Sequence, residues 1–214
     1  MKLKLTILLA ATLAGNLLAQ SIDLPAPQKT GGMPLMEALS KRATGRSFAT
    51  NDLSPQQISS LLWSAFGVNR PDGKRTAPSA NNKQETDIYI LLKSGAYVYS
   101  AVSNKLDQIL AEDIRALGGT QAFVKDAPVT LVFVADLAKR GGDSEGARNT
   151  ANIGVGYISQ NVYLFCASEG LATGARGSVD RKALGEKLKL RPDQLIVLGQ
   201  SVGYRKTGED RAFP

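Results

Sequence analysis

Arg148 to Leu171 reads R-N-T-A-N-I-G-V-G-Y-I-S-Q-N-V-Y-L-F-C-A-S-E-G-L, and the way this stretch folds decides how the rest of the chain is arranged. Its apolar residues Ile153, Tyr157, Val162, Phe165 and Cys166 recur near the helical period, while Ala151, Gly154, Gly156 and Ala167 leave room for close approach by neighbours. The pattern predicts one long helix, buried on most sides. At about 1.5 Å per residue it is long enough to cross a bilayer, but Asn152, Gln160, Asn161 and Glu169 break the oily run well short of a spanning segment. It is therefore read as the core helix of a soluble domain. Glu169-Gly170 ends it. A glycine there takes the left-handed conformation that terminates a helix, and it also lets bare backbone approach a ligand. A helix stop alone would explain the pair equally well.

Outward from this helix, composition narrows the chemistry. The 214 residues, 43% hydrophobic, suit one globular domain with a full core. Histidine is absent, which removes every scheme that uses imidazole as a base and every metal site that needs one. The single cysteine, Cys166, lies in the apolar helix, so a disulfide and a Cys-rich metal site are both ruled out and a buried structural thiol is expected. No metal site is expected at all, and demanding chemistry would have to come from a bound cofactor or from carboxylates. The net charge of +7 is dispersed along the chain. It suits an anionic ligand and does not argue for nucleic acid.

Met1 to Gln20 opens with Lys2 and Lys4, continues through an apolar run from Leu5 to Ala14, and ends in small residues with Ala19 before the expected cut. This is the layout of a secretory signal peptide over residues 1–19. Export, to a periplasm if the host has one, is the expectation, with no stable membrane insertion once the leader is gone. A retained anchor is the alternative. Residues 20–33, rich in Pro and Gly, are expected to form an extended arm, and residues 34–214 the folded domain.

Within that domain, Pro34 to Lys41 opens a helix with Leu35, Ala38 and Leu39 on one buried face. It runs into R-A-T-G-R, where Arg42 and Arg46 flank Thr44: two guanidinium forks and a hydroxyl that can converge on one phosphate. A solvated helix end accounts for the same residues. Ser54-Pro55-Gln56-Gln57 is a capping box, followed by the stripe Ile58, Leu61, Leu62, Ala65 and Phe66 up to Gly67, with Trp63 off the stripe. The loop T-A-P-S-A-N-N-K-Q, with Pro78, Ser79, Asn82 and Gln84, either hydrogen-bonds a planar polar ring or is a plain turn. Asp87–Leu92 and Ala96–Tyr99 read as a β-hairpin, Leu106–Leu117 as a helix, Ala127–Ala135 as a central strand, and Lys139–Gly146 as a charged loop. Arg181–Leu190 reads as a short helix behind Asp180, Gln194–Gly199 as a last buried strand, and Ser201–Pro214 as a polar tail.

Each fragment is weak alone, but their order is specific. R-x-T-x-R after a first helix, P-S-x-x-N-x-Q before a strand, a long buried helix ending E-G-L, and a late strand followed by V-G-Y resemble the FMN-dependent nitroreductase family over about Pro34 to Tyr204. Within it, L-S-P-Q-Q-I-S-S-L-L-W-S-A-F-G-V-N-R looks most like the branch that includes thiazole- and oxazole-forming oxidases. The resemblance implies an α+β fold, with a central mixed, largely antiparallel sheet flanked by helices, in a homodimer whose FMN sites lie at the interface. It implies that Arg42, Thr44 and Arg46 hold the flavin phosphate and ribityl chain. Pro78, Ser79, Asn82 and Gln84 would line the ring and ribityl, some of them from the partner subunit. Glu169, Gly170 and Leu171 would face the reactive edge of the ring through backbone amides. Arg205, after Gly203-Tyr204, is the corresponding candidate for a C-terminal basic residue at the phosphate.

The activity so implied is a ping-pong cycle in which hydride passes through flavin N5 to a nitroaromatic, quinone or similar small molecule, with no side chain acting as catalyst. Relatives in the cytosol take hydride from NADH or NADPH, so a leader leaves the donor open. A dehydrogenase of a heterocycle-bearing substrate, a secreted flavin-binding protein without turnover, and a purely structural domain are the other readings.

Overall fold

Val129 to Asp136 is a strand in which every residue is buried, and the rest of the molecule is layered on its two sides. In the computed structural model of the protein, residues 20–206 are described; the expected leader and residues 207–214 of the expected tail lie outside them. The strands are β1 (Ser21–Asp23), β2 (Thr86–Leu92), β3 (Gly95–Ser100), β4 (Lys105–Leu110), β5 (Val129–Asp136), β6 (Leu171–Arg176) and β7 (Gln194–Tyr204). They form one sheet in the order β1-β4-β3-β2-β5-β7-β6. Every neighbouring pair among the described residues runs antiparallel. With helices α1 (Leu35–Lys41), α2 (Pro55–Phe66), α3 (Glu145–Ser168) and α4 (Arg181–Lys187), this is the expected α+β architecture.

Alternation along the strands assigns the two faces. Ile88, Ile90, Leu131, Phe133 and Val202 point to one side and pack with Leu61, Leu62 and Phe66 of α2 and Ile158, Val162 and Cys166 of α3. Tyr89, Leu91, Val132 and Val134 point to the other, against Leu184 of α4, Ile114, Val179 and Leu188. Burying the thiol of Cys166 in the first layer pushes its pKa far up, so it is the structural cysteine expected. Ser54 caps α2 with the expected box, its hydroxyl accepting from Gln57 N while Gln57 reaches back to the cap. Asp180 caps α4 in the same manner, accepting from Ala183 N.

Several expectations are corrected. Leu106–Leu117 is not a helix: Lys105–Leu110 is β4, paired with β3 after a turn in which Asn104 takes a positive φ of 52°. Leu106 is buried and Asp107 exposed, an alternation that a partner strand can use and a helix cannot. The expected last strand extends to Tyr204, so Ser201–Tyr204 belong to the sheet core and not to a tail. β6 had no counterpart in the sequence reading. The first residues of the arm pair with β4 as β1, and it bends at Gly31 and Gly32, both of positive φ. It crosses α2, where Gln28 N donates to Ser60 Oγ, and reaches the end of α3, where Met33 N donates to Ser168 Oγ at 2.8 Å.

The two apolar helices also differ from expectation. Along α3 the buried side consists of Ala151, Gly154, Val155, Ile158, Ser159, Val162 and Cys166, whereas Ile153 and Tyr157 are 58% and 49% exposed. On α1 only Ala38 is buried; Leu35 and Leu39 are 62% and 44% exposed. In one chain these side chains are uncovered because no element among the described residues lies over that side.

Candidate functional site

Gly45 lets the R-A-T-G-R segment lie directly on the sheet edge. Its N–H donates to Thr173 O of β6 at 2.8 Å. A side chain there would stand 2.9 Å from the Ala172 side chain, and one at Gly174 would stand 2.9 Å from Gly45 O. Two glycines therefore set a backbone approach that any larger residue would open. Tyr163 of α3 completes the anchor. Its hydroxyl accepts from Ala175 N at 2.9 Å and lies 3.2 Å from Thr44 Oγ1. The Arg42 guanidinium sits 5.4 Å from the centre of the same ring, within cation–π range. Arg42 caps the end of α1, and Arg42 and Arg46 are exposed while Thr44 is half-buried. Two guanidiniums and a hydroxyl on five residues, pinned at three points, form a donor set suited to a phosphate.

Glu169, Gly170, Leu171 and Arg205 gather at this end of the sheet. Leu171 opposes Tyr204 in the β6–β7 register, and Arg205 forms an isolated bridge with Phe48, two residues beyond Arg46. Gly170 has φ of +69° with open space around it, so the α3 stop is the left-handed one expected. Glu169 is exposed and Leu171 buried, so what this turn presents to solvent is backbone and the Glu169 side chain. Beside it, a cavity of about 470 Å³ lies between the arm, α1, α2 and α3, lined in part by Trp63, Asn69, Asn161, Phe165 and Glu169. Trp63 is half-buried, and its Nε1 donates to Val68 O.

The 78–84 loop lies elsewhere. It leads into Thr86, which opposes Ala135 near the end of β5, whereas the R-A-T-G-R segment lies on β6 level with the start of β5, where Ser201 opposes both Gly174 and Thr130. At about 3.4 Å per residue these positions are roughly 15–20 Å apart along the strand. One chain therefore does not bring Pro78, Ser79, Asn82 and Gln84 to the other candidates. The loop is built around Gln84: its amide accepts from Arg75 Nε at 2.7 Å and donates to Gly73 O and Asn82 Oδ1. Asn81, Asn82 and Gln84 all have positive φ, an unusual density for residues other than glycine. Pro78 and Asn82 are exposed. Ser79 Oγ accepts from Gln84 N, so the Ser79 and Gln84 side chains hold the loop in shape.

Sequence reading missed Tyr163 and Arg75. Arg75 is packed 4.6 Å from the Phe66 ring centre, and burial lowers its pKa. A tyrosine between two apolar helical residues carries a polar tip that needs a partner, and that was the one signal available for Tyr163. Arg75 offered none.

Comparison with known proteins adds to this geometry. Residues 39–204 match the model of the Nitroreductase family. A protein of Methanocaldococcus jannaschii provisionally named a nitroreductase is 29% identical over 176 residues, spanning 77% of this chain and 88% of its own. A crystal structure from Ralstonia eutropha JMP134, also of a provisionally named nitroreductase, is 38% identical with a TM-score of 0.83 over 87% of this chain and 90% of that one. The NADPH:FMN oxidoreductase of Vibrio harveyi, solved with NAD+, is 18% identical with a TM-score of 0.63 over 81% and 69% of the two chains. At that identity the likeness is one of fold.

Proposed function

The chain belongs to the nitroreductase family, and from that premise we propose that it is an FMN-dependent oxidoreductase of small molecules, exported from the cytoplasm and working as a homodimer. The observation that carries the reading is the anchored R-A-T-G-R segment, whose donors suit the flavin phosphate. Bound FMN would supply the redox chemistry, accepting hydride at N5 from one partner and delivering it to a nitroaromatic, quinone or similar acceptor once the first has left. Arg42, Thr44, Arg46 and Arg205 would bind the phosphate end. The backbone of Gly170 and Leu171 would face the ring edge, with Glu169 N held by Phe165 O at the end of α3. Proton transfer is left to water, which agrees with a chain that has no histidine.

Two features support the homodimer. Leu35, Met36 and Leu39 on α1 and Ile153 and Tyr157 on α3 are exposed apolar side chains on two helices in contact. Exposed apolar side chains of this kind suit an association surface. The 78–84 loop is ordered by its own hydrogen bonds yet remote from its own chain's R-A-T-G-R segment, so Pro78, Ser79, Asn82 and Gln84 would complete the partner's site. The α2 sequence keeps oxidation of a heterocycle-bearing substrate as the second reading.

An absorption spectrum of the freshly purified protein, followed by anaerobic mixing with NADH and NADPH, tests the proposal. The expected protein is yellow with a flavin spectrum. Replacing Arg42 and Arg46 together by Ala should give a colourless, less stable protein, and full FMN occupancy in that double variant would remove the phosphate assignment.

A further inference from the structure

Arg176, the last residue of β6, is 7% exposed, and its guanidinium meets no carboxylate among the described residues. Nε donates to Gly118 O at 2.9 Å, and Nη1 donates to Ser201 Oγ at 3.0 Å and Gly174 O at 3.3 Å. Nη2 is buried without a partner. Phe123 offers its ring 5.8 Å away. Burial lowers the pKa to about 10, which still leaves the group charged at neutral pH. Taking a cation out of water without an anion is expensive, and an apolar side chain of similar volume would fill the space at less cost.

Its position suggests what the charge does. Residues 172, 174 and 176 share one face of β6. Gly174 accepts from Arg176 through its carbonyl, and its Cα side faces Gly45 O and the stem of Arg46. Arg176 is therefore buried on the inner side of β6, with Gly174 between it and the R-A-T-G-R segment, in an interior where its field is little screened by salt.

We infer that Arg176 is a specificity-determining residue for the flavin: an unneutralised buried charge that favours the phosphorylated cofactor over riboflavin without touching it. The inference rests on the flavin reading above. Its counter-anion is the ligand's phosphate, held at the surface by Arg42, Thr44 and Arg46, and the hydrogen bonds to Gly118, Gly174 and Ser201 keep the charge in place while the site is empty.

The test is equilibrium titration of the full, flavin-free chain with FMN and separately with riboflavin, in wild type, Arg176→Met and Ser201→Asp. The second variant keeps the guanidinium and supplies the anion it lacks, so it remains informative if Arg176→Met fails to fold. Both variants should bind FMN about tenfold more weakly and riboflavin within about twofold of wild type. Equal loss for the two flavins, or unchanged FMN affinity in either folded variant, would overturn the inference and leave Arg176 a structural clamp. A wild-type chain that binds neither flavin would instead remove the underlying cofactor reading.

Discussion

Tyr163→Phe is the most direct probe of how the candidate phosphate site is held. The substitution keeps the ring under Arg42 and deletes one oxygen, which serves both Ala175 N at 2.9 Å and Thr44 Oγ1 at 3.2 Å. Both partners are half-buried and can recover some hydration, so each lost bond should cost about 0.5–1 kcal/mol, together about 1–2 kcal/mol. For a domain of this size that corresponds to a fall in Tm of about 3–6 °C. Loosening Thr44 should also weaken FMN binding by about three- to tenfold, since the segment must then be ordered by the ligand. Thermal unfolding by circular dichroism and flavin fluorescence titration read the two effects. In a double-mutant cycle with Thr44→Val the FMN losses should be less than additive, because both changes break the same link. Additive losses, or a Tyr163→Phe protein with wild-type Tm and FMN affinity, would refute the idea that the tyrosine anchors the segment.

Gly156→Ala distinguishes a lone chain from a pair. The glycine is exposed inside α3, and an added methyl group would meet nothing within 4 Å, so a monomer should gain about 1 kcal/mol; the proposed homodimer should instead lose Tm, most at low protein concentration, and a gain with unchanged solution mass would exclude the interface. Gln84→Ala removes the centre of the 73–84 loop and should cost about 1–2 kcal/mol in denaturant unfolding, with weaker FMN binding in the same sample; unchanged FMN affinity would take the loop out of the site. Burial raises the pKa of Tyr99 to about 12, against about 10 when unfolded. Its neutral form therefore contributes stability that is complete below pH ~10 and lost as pH rises toward ~12. In stability measured from pH 8 to 12, Tyr99→Phe should fall less steeply than wild type, and parallel curves would contradict this.

Much of the fold could be read where hydrophobic period and capping agree. The capping box and stripe of α2, the run of α3 and the uninterrupted apolar β5 each carry their own signal. β4 and β6 do not. L-A-T-G-A-R has little strand propensity of its own, and it is extended because β7 pairs with it along its length. The exposed sides of α1 and α3 were misassigned for a related reason: an apolar stripe says that something covers it, not which chain supplies the cover. At the site, the chemistry of Arg42, Thr44 and Arg46 was visible as local spacing. Their anchoring on Tyr163, 119 residues from Thr44, and their separation from the 78–84 loop depend on strand register, which local sequence does not express.

β7, the last strand of the sheet in chain order, lies between β5 and β6. Until it emerges from the ribosome, β6 has no hydrogen-bonding neighbour on that side and β5 has only one. Strands β1 to β5 can pair with one another before it appears, but β6 joins the sheet only through this final segment, after synthesis is nearly complete. That order of events suits the export proposed above, and it makes Gln194–Tyr204 a segment the sheet cannot lose without releasing β6.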